Sequence, residues 1–449
     1  MKVLFVIRSI DYFHYYRTII ESLCKRGHQV DLLFDEGWSK GANRAPLEQA
    51  LQQYPQLSWG WSQRRKGVWR TILFTTREVR TYRRFLLATD QSVYYRDRWL
   101  RYLPWFVRGA IKYIPGVKSI IALQTSETFL SWIEDITPAS SNVLEEVKKR
   151  SPKLIVATPL NQRFAEELEY LKAARQLKIP SAGSVLSWDN LTTKGLIHVW
   201  PDVLMVWNET QVKEAHDHHG IPRERTRIIG APVFDVWFSE LKPSTTREEF
   251  CKKHGLDPAR PYLLYLGSSR NISHDEAWVV KKVREALDVS DKQALRQMQI
   301  VIRPHGANSK TYEGIERKGI IVVPKMGTLP STEESLQLSY DSMYFSQAII
   351  GVNTSAMIEA MIVGKPVIAM MLDVYAKTQT EAQHFRQLLG EHALELVHSD
   401  EELRKVAACL MDGEDKTKPM REQFIQKYIR PYGLSTSAGE RAAEALEMV

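Results

Sequence analysis

Residues 349–369, IIGVNTSAMIEAMIVGKPVIA, constrain the fold of this chain more than any other stretch. The apolar run Ile349-Ile350-Gly351-Val352 reads as a buried strand, and 356–363 as a helix closed at Gly364. Pro366-Val367-Ile368-Ala369 then opens a second buried strand. Such a strand–helix–strand unit predicts a parallel pair joined by a right-handed crossover. Asn353, Thr354 and Ser355 fall at the helix mouth, where unpaired backbone N–H groups and the helix dipole favour an anion. Glu359 follows Ser355 by four residues, one turn along the same face. Two readings are open at this point. One is a plain helix cap with a surface acid. The other is a phosphate at the mouth and a carboxylate for sugar hydroxyls, together holding a nucleotide diphosphate.

The same alternation opens the chain. Residues 2–8 predict a strand, 12–26 a helix with Phe13, Tyr16, Ile20 and Leu23 on one face, and 29–34 a second strand. From roughly 43 to 148 the pattern turns helical, basic and aromatic. Strand–helix alternation resumes at Leu154-Ile155-Val156, with a helix over 161–177, a strand over 179–186 and the loop SWDNLTTKG over 187–195. A second series starts at Tyr262, with strands over 262–266, 299–303 and 320–323. Helices near 400–412, 418–429 and 437–448 close the chain. The length of 449 residues suits two domains. The expected class is α/β: two Rossmann-like doubly wound domains, with a helical insertion in the N-terminal one.

Ligands of open α/β sheets bind outside the carboxyl ends of the strands. Four segments of the second series fall there: Ser268-Ser269-Arg270, Arg303-Pro304-His305, Thr354-Ser355 and the turn after Met371. Their convergence favours the nucleotide reading over the plain cap.

Composition narrows the class further. With 44% hydrophobic and 25% charged residues the chain is globular. Cys24, Cys251 and Cys409 are scattered and form no CxxC, which points to a reducing compartment and away from a disulfide framework or a cysteine zinc site. MKVLFVIRSI is a first strand rather than a signal peptide, and no charge-free apolar run reaches membrane-spanning length. A cytoplasmic protein is expected. His216, Asp217, His218 and His219 invite a metal reading, but they end a helix whose dipole favours histidine and lack a clear third ligand. No metal is expected.

Between Trp59 and Lys118 there are 14 Lys/Arg against 3 Asp/Glu, so the net charge of +8 is concentrated in one segment. Arg77, Arg80 and Arg84 share one helical face; Arg101, Trp105, Arg108 and Lys112 share another. Basic residues interleaved with Trp59, Trp61, Trp69, Trp99 and Trp105 suit a helix lying on an anionic bilayer. A packed helical subdomain with solvated arginines is the plainer reading. Nucleic acid ranks last, because the rest of the chain is mildly acidic.

The RGHQV string at 26–30, the two strand–helix series and the EAxxxGKP piece (Glu359, Ala360, Gly364, Lys365, Pro366) resemble the GT-B glycosyltransferases over nearly the whole chain. The Arg303-Pro304-His305 and Gly230-Ala231-Pro232 turns are similar to the capsule-polysaccharide and CDP-glycerol glycerophosphotransferase branch. The loop from Arg8 to His14 departs from the family in carrying no glycine. The resemblance implies an N-terminal acceptor domain over 1–240 with its insertion over about 43–148. It implies a donor domain over 241–430 and a C-terminal helix, 431–449, packed back on the first domain. It implies a nucleotide-sugar donor, a glycan or lipid-linked acceptor, and no cofactor. Donor-binding residues would be Ser268, Ser269, Arg270, Arg303, His305, Asn353, Thr354, Ser355, Glu359 and His384.

Transfer from such a donor requires stabilisation of the leaving diphosphate and, if it inverts, a base for the acceptor hydroxyl. Asp189, Asp11 and His14 are the candidate bases, and His305 a candidate at the phosphates. Asp11 has a plain alternative as the N-cap of the first helix, and Asp189 as an Asx-turn. Arg77, Arg80, Arg84, Arg101, Trp105 and Arg108 would face the acceptor or an anionic membrane. The alternatives to a glycosyltransferase are a CDP-glycerol-type polyol-phosphate transferase and a catalytically inactive GT-B-like glycan- or partner-binding protein.

Overall fold

The computed structural model describes residues 1–317, 319–327 and 332–449. The chain forms two compact units, Met1–Asp235 with Tyr428–Val449, and Val236–Lys427.

The first unit holds seven parallel strands: β1 (Lys2–Ile7), β2 (Gln29–Phe34), β3 (Leu57–Trp61), β4 (Leu154–Thr158), β5 (Ser181–Ser184), β6 (Val203–Val206) and β7 (Thr226–Ile228). Their order is β3-β2-β1-β4-β5-β6-β7. β1 is apolar without alternation because both of its faces are covered. Val3, Phe5 and Ile7 pack with helix Phe13–Lys25, while Leu4 and Val6 pack with Val143, Val147 and Ala173 on the other side. The strand order reverses between β1 and β4, paired from Val3↔Leu154 to Ile7↔Thr158. The carboxyl edge there is where such a sheet takes ligands.

The helical insertion is shorter than its sequence suggests. Residues 57–61 form β3, in parallel register with β2 from Val30↔Leu57 to Phe34↔Trp61. Trp59 and Trp61 therefore belong to the sheet and pack against its core. The insertion proper comprises helices Val68–Leu87, Val93–Tyr102, Trp105–Tyr113, Val117–Ala122 and Gln124–Ile136. Helix Ser141–Arg150 is an ordinary crossover into β4. The helix expected from 161 starts only at Leu168.

Arg77, Arg80 and Arg84 turn inward, which corrects their assignment to a membrane face; Arg77 lines a cavity of the first unit. Arg77 donates to both carboxylate oxygens of Glu134 at 2.7 Å and lies 3.5 Å from Glu169. Arg80 donates to Glu127 at 2.8 Å. Arg84 donates to the carbonyls of Lys194, Leu191 and Thr192, tying the insertion to the loop after β5. Burial holds its guanidinium down to about 9.

The C-terminal helix Ala438–Glu447 lies against helix Phe13–Lys25. A Cβ at Gly439 would come within 2.6 Å of the Thr18 carbonyl, so glycine permits the approach. Asp235 accepts the Ala438 and Gly439 N–H groups at 3.0 and 2.8 Å and pairs with buried Arg430 at 2.7 Å. A carboxylate at a helix N-terminus satisfies its unpaired donors.

The second unit holds β8 (Tyr262–Leu266), β9 (Gln299–Arg303), β10 (Ile320–Val322), β11 (Ala348–Gly351), β12 (Val367–Met370) and β13 (Glu395–Val397), in the order β10-β9-β8-β11-β12-β13, all parallel. The reversal falls between β8 and β11. Among the described residues no helix is long and apolar enough to cross a membrane.

Candidate functional site

In the second unit, β8, β9 and β11 end side by side. The Gly267 N–H donates to the Arg303 carbonyl at 3.0 Å, and the Asn353 N–H reaches the Ser268 hydroxyl at 3.4 Å. Gly267 allows this closeness: a Cβ there would sit 2.8 Å from the Tyr312 hydroxyl and 3.3 Å from the His305 nitrogen. The loops that carry Ser268, Arg303, His305 and Asn353 thus converge on one edge.

Arg303 is the last residue of β9, and the strand's own register draws its side chain into the unit. It is 5% exposed, and neither terminal nitrogen has a hydrogen-bond partner among the described residues. Burial pulls its basicity down, opposed only by the charge of Glu359. Glu359, on helix Ala356–Ile362, is 9% exposed and makes no ion pair among the described residues. Burial pushes its carboxyl up to about 7, and Arg303 works against that shift. A buried guanidinium without an acceptor is costly. An anion or a ring of hydroxyls could supply the acceptors that the described residues do not.

Around this pair the other expected residues divide. His305 accepts the Ala307 N–H on Nδ1 at 3.1 Å, which puts its proton on Nε2, and burial lowers its basicity. It is a neutral donor beside Arg303 in sequence. Ser355 precedes the helix, is exposed, and its hydroxyl makes no capping bond. The plain N-cap reading therefore does not hold for Ser355. Thr354 weakly accepts the Ala356 N–H at 3.4 Å. Ser269 is half-buried and Arg270 is exposed on the same loop.

Ser268 and Asn353 have structural work. Ser268 is fully buried; its N–H donates to Glu276 at 3.1 Å and its carbonyl accepts from Asn308 at 3.4 Å. Asn353 donates to the Thr378 carbonyl at 2.6 Å and faces His384 Nε2 at 3.3 Å. These three residues hold the loops rather than present themselves. Lys365 likewise donates to the Ser346 carbonyl at 2.9 Å.

In the first unit the expected bases do not gather. Asp189 binds the hydroxyls of Ser187 and Thr193 and the Lys194 ammonium at 3.2 Å, so its carboxylate is occupied within its own loop. Asp11 is exposed, and Tyr12, not Asp11, stands at the N-cap of the first helix. The Asp11 N–H is itself received by the Ser9 hydroxyl at 3.2 Å. Burial pushes His14 down to about 4, leaving it neutral at pH 7. Arg101 and Arg108 are exposed, and Trp105 is 78% exposed. The histidine cluster disperses: His216 is exposed beside Asp217, while His219 is buried between the Ile197 N–H and the Leu191 carbonyl.

Two groups escaped the sequence reading. Arg8 follows β1 at the first unit's strand reversal, buried, 4.1 Å from the Trp38 ring centroid, with Nη1 unpaired among the described residues. Glu167 is buried in the loop after β4, and burial pushes it up to about 8 against the opposing charge of Arg8. Arg8 carried a signal, an arginine directly after an apolar strand. Glu167 carried none, because residues 161–177 read as one helix.

No protein-family model matches the chain, and comparison with curated proteins gives no match. Solved structures do match over its full length. The UDP-GlcNAc 2-epimerase of Methanocaldococcus jannaschii is 15% identical with a TM-score of 0.56, covering 100% of both chains. The S. aureus MnaA–UDP co-structure is 11% identical with a TM-score of 0.54, covering 100% of this chain and 96% of that one. A glycosyltransferase from Rickettsia africae is 11% identical with a TM-score of 0.52, covering 100% and 97%. With two parallel sheets that each reverse order at the first strand, the chain has the GT-B fold that glycosyltransferases and UDP-GlcNAc 2-epimerases share.

Proposed function

We propose that this protein is a glycosyltransferase that moves a sugar from a nucleotide-sugar donor on its second unit to a glycan or lipid-linked acceptor in bacterial surface-glycan synthesis. The observation that carries the reading is the buried, unpartnered Arg303 beside a lone Glu359 at the strand reversal. A pyrophosphate supplies the acceptors that Arg303 lacks, and Glu359 is an acceptor for sugar or ribose hydroxyls. His305 Nε2–H and the Ser355 hydroxyl add neutral donors. In this reading side chains, not a metal, offset the charge of the departing diphosphate. If the transfer inverts, the acceptor proton needs a base; of the buried titratable groups in the first unit, His14 is neutral at pH 7 and can accept it, whereas the raised carboxyl of Glu167 is mostly protonated there and suits a donor.

The same reading places the protein in the cytoplasm, at an anionic membrane face. Helices Trp105–Tyr113, Val117–Ala122 and Gln124–Ile136 expose Trp105, Phe106, Tyr113, Ile120, Phe129 and Trp132. Residues 99–126 contain four Lys/Arg and no Asp/Glu. Exposed rings among cations match the chemistry of an anionic lipid surface.

The test is a thermal-shift and calorimetric screen of UDP, GDP, CDP, CMP and their sugar forms. One nucleoside diphosphate should stabilise the wild type through linkage, and Arg303→Ala or Glu359→Ala should lose that response. A flat response, or equal affinity in both variants, would overturn the proposal. Product analysis separates the rivals: release of the nucleoside diphosphate marks sugar transfer, release of CMP a polyol-phosphate transferase, and an altered sugar still on its nucleotide an epimerase.

A further inference from the structure

The first unit encloses a cavity of about 570 Å³, lined by the segment 64–67, one face of helix Val68–Leu87, the loop after β4 and residues 195–198. That volume suits a small ligand. Its exposed lining residues, among them Lys66, Arg70 and Phe164, mark the mouth. Its floor includes buried Glu78, Trp99 and Leu168.

Three observations favour a built site over a packing gap. Phe164 is held at φ +56°, a left-handed conformation that bulky side chains rarely adopt, and its ring stacks on Phe74 with centroids 4.4 Å apart. Strain of that kind persists only where the surroundings impose it, and here it sets an aromatic face at the cavity mouth. Next, the polar lining is under-used. His198 has its Nδ1 buried without a partner among the described residues, and its Nε2 lies 3.4 Å from the Thr81 hydroxyl. Glu78 is 4% exposed and meets Arg163 at 3.1 Å; burial pushes its carboxyl up to about 7, so near neutrality it both donates and accepts. A buried imidazole nitrogen without a protein partner, on a residue that lines the cavity, can be met by a ligand that bonds to it. Finally, the mouth carries one uncompensated cation: Lys66 makes no ion pair among the described residues, while Arg70 is met by Glu166 at 2.8 Å.

Flat aromatic faces beside a carboxyl, an imidazole and cations match one ligand chemistry. A sugar ring presents apolar C–H faces and a rim of hydroxyls that each donate and accept. Lys66, unpaired at the mouth, adds a preference for an acidic substituent. We propose that this cavity binds a sugar residue bearing an anionic group, as part of the glycan that receives the transferred sugar. Only the word "receives" rests on the transferase reading; the binding stands without it.

The experiment uses the full chain, a glucuronic-acid-containing disaccharide and its neutral glucose counterpart, followed by saturation-transfer NMR and calorimetry. The acidic disaccharide should bind and the neutral one more weakly. Thr71→Trp, placed at an exposed position of the lining, should plug the mouth and lower that affinity at least tenfold, as should Glu78→Gln. Both variants should keep wild-type nucleotide binding, while Arg303→Ala should lose nucleotide and keep the disaccharide. No binding of the acidic disaccharide, or unchanged affinity in Thr71→Trp, would overturn the inference. No nucleotide binding by the wild type, with disaccharide binding intact, would instead overturn the proposed donor site and leave this one standing.

Discussion

Two buried arginines, Arg77 in the insertion and Arg303 at the edge of the second sheet, are held in opposite ways. Arg77 is boxed by Glu134 and Glu169, and Lys172 shares Glu134 at 2.9 Å. Burial opposes its charge, but the two carboxylates outweigh burial and hold its guanidinium above the ordinary value. Arg303 has burial opposed only by the charge of Glu359, with no hydrogen-bonded acceptor among the described residues, and its value falls. The first arrangement is finished within the protein and stabilises the insertion. The second is unfinished, and an unfinished buried charge is a mark of function more than of architecture. A count of basic residues treats the two alike; only their partners separate them.

The largest test of the contrast is Arg77→Met. It leaves Glu134 to Lys172 and Glu169 to Arg65, one cation short in the interior, and should cost up to about 3–5 kcal/mol in denaturant unfolding. Arg303→Met should cost far less, because no hydrogen-bonded partner is stranded and the one charge that faces it, Glu359, can take up a proton. Equal losses in the two variants would erase the distinction.

Glu359 offers a test of similar size through pH. Its folded value, about 7, lies above its ordinary value of 4.5. Below pH 4.5 both folded and unfolded states are protonated and no penalty exists. Between 4.5 and 7 the unfolded state ionises first, so stability falls as pH rises, and above 7 the loss is constant. Glu359→Gln removes this dependence and should gain about 3 kcal/mol on the wild type between pH 4 and pH 8. A difference that does not change with pH would show that Glu359 already has a partner.

Next in size is binding. Arg303→Ala should weaken the responding nucleoside diphosphate roughly 100-fold, the loss expected of charge-assisted bonds to phosphate. Calorimetry at fixed salt reads it, and a loss under threefold would remove Arg303 from the site.

The smallest effect extends the comparison to the insertion's outer face. Lys112→Ala should weaken sedimentation with phosphatidylglycerol vesicles by about 1 kcal/mol and leave unfolding unchanged. Arg80→Ala, which loses the Glu127 pair, should do the reverse. Identical behaviour of the two would mean that the outer face has no lipid partner.

Much of this was legible in the linear chain. Apolar runs without alternation over Val3–Ile7, Tyr262–Leu266 and Ile349–Val352 identify strands covered on both faces, and their alternation with helices entails parallel sheets. Residues just after those strands were known to share an edge, which made Arg303, His305 and Ser355 candidates. These conclusions need only local periodicity and the direction of a strand, and both are properties of the sequence by itself. The fate of each side chain is not such a property. Ser268 and Asp189 were equally good candidates, yet loop neighbours occupy both. Trp59 and Trp61 looked like part of the insertion, yet they extend the sheet, because strand pairing is decided by a distant partner. Arg77, Arg80 and Arg84 share one helical face by spacing, but which way that face points depends on Glu134, Glu127 and the loop after β5. Glu167 and the cavity beneath Phe164 exist only where segments far apart in the chain meet. Burial and partnership set a group's charge and reactivity, and both arise from tertiary contacts that no local pattern encodes.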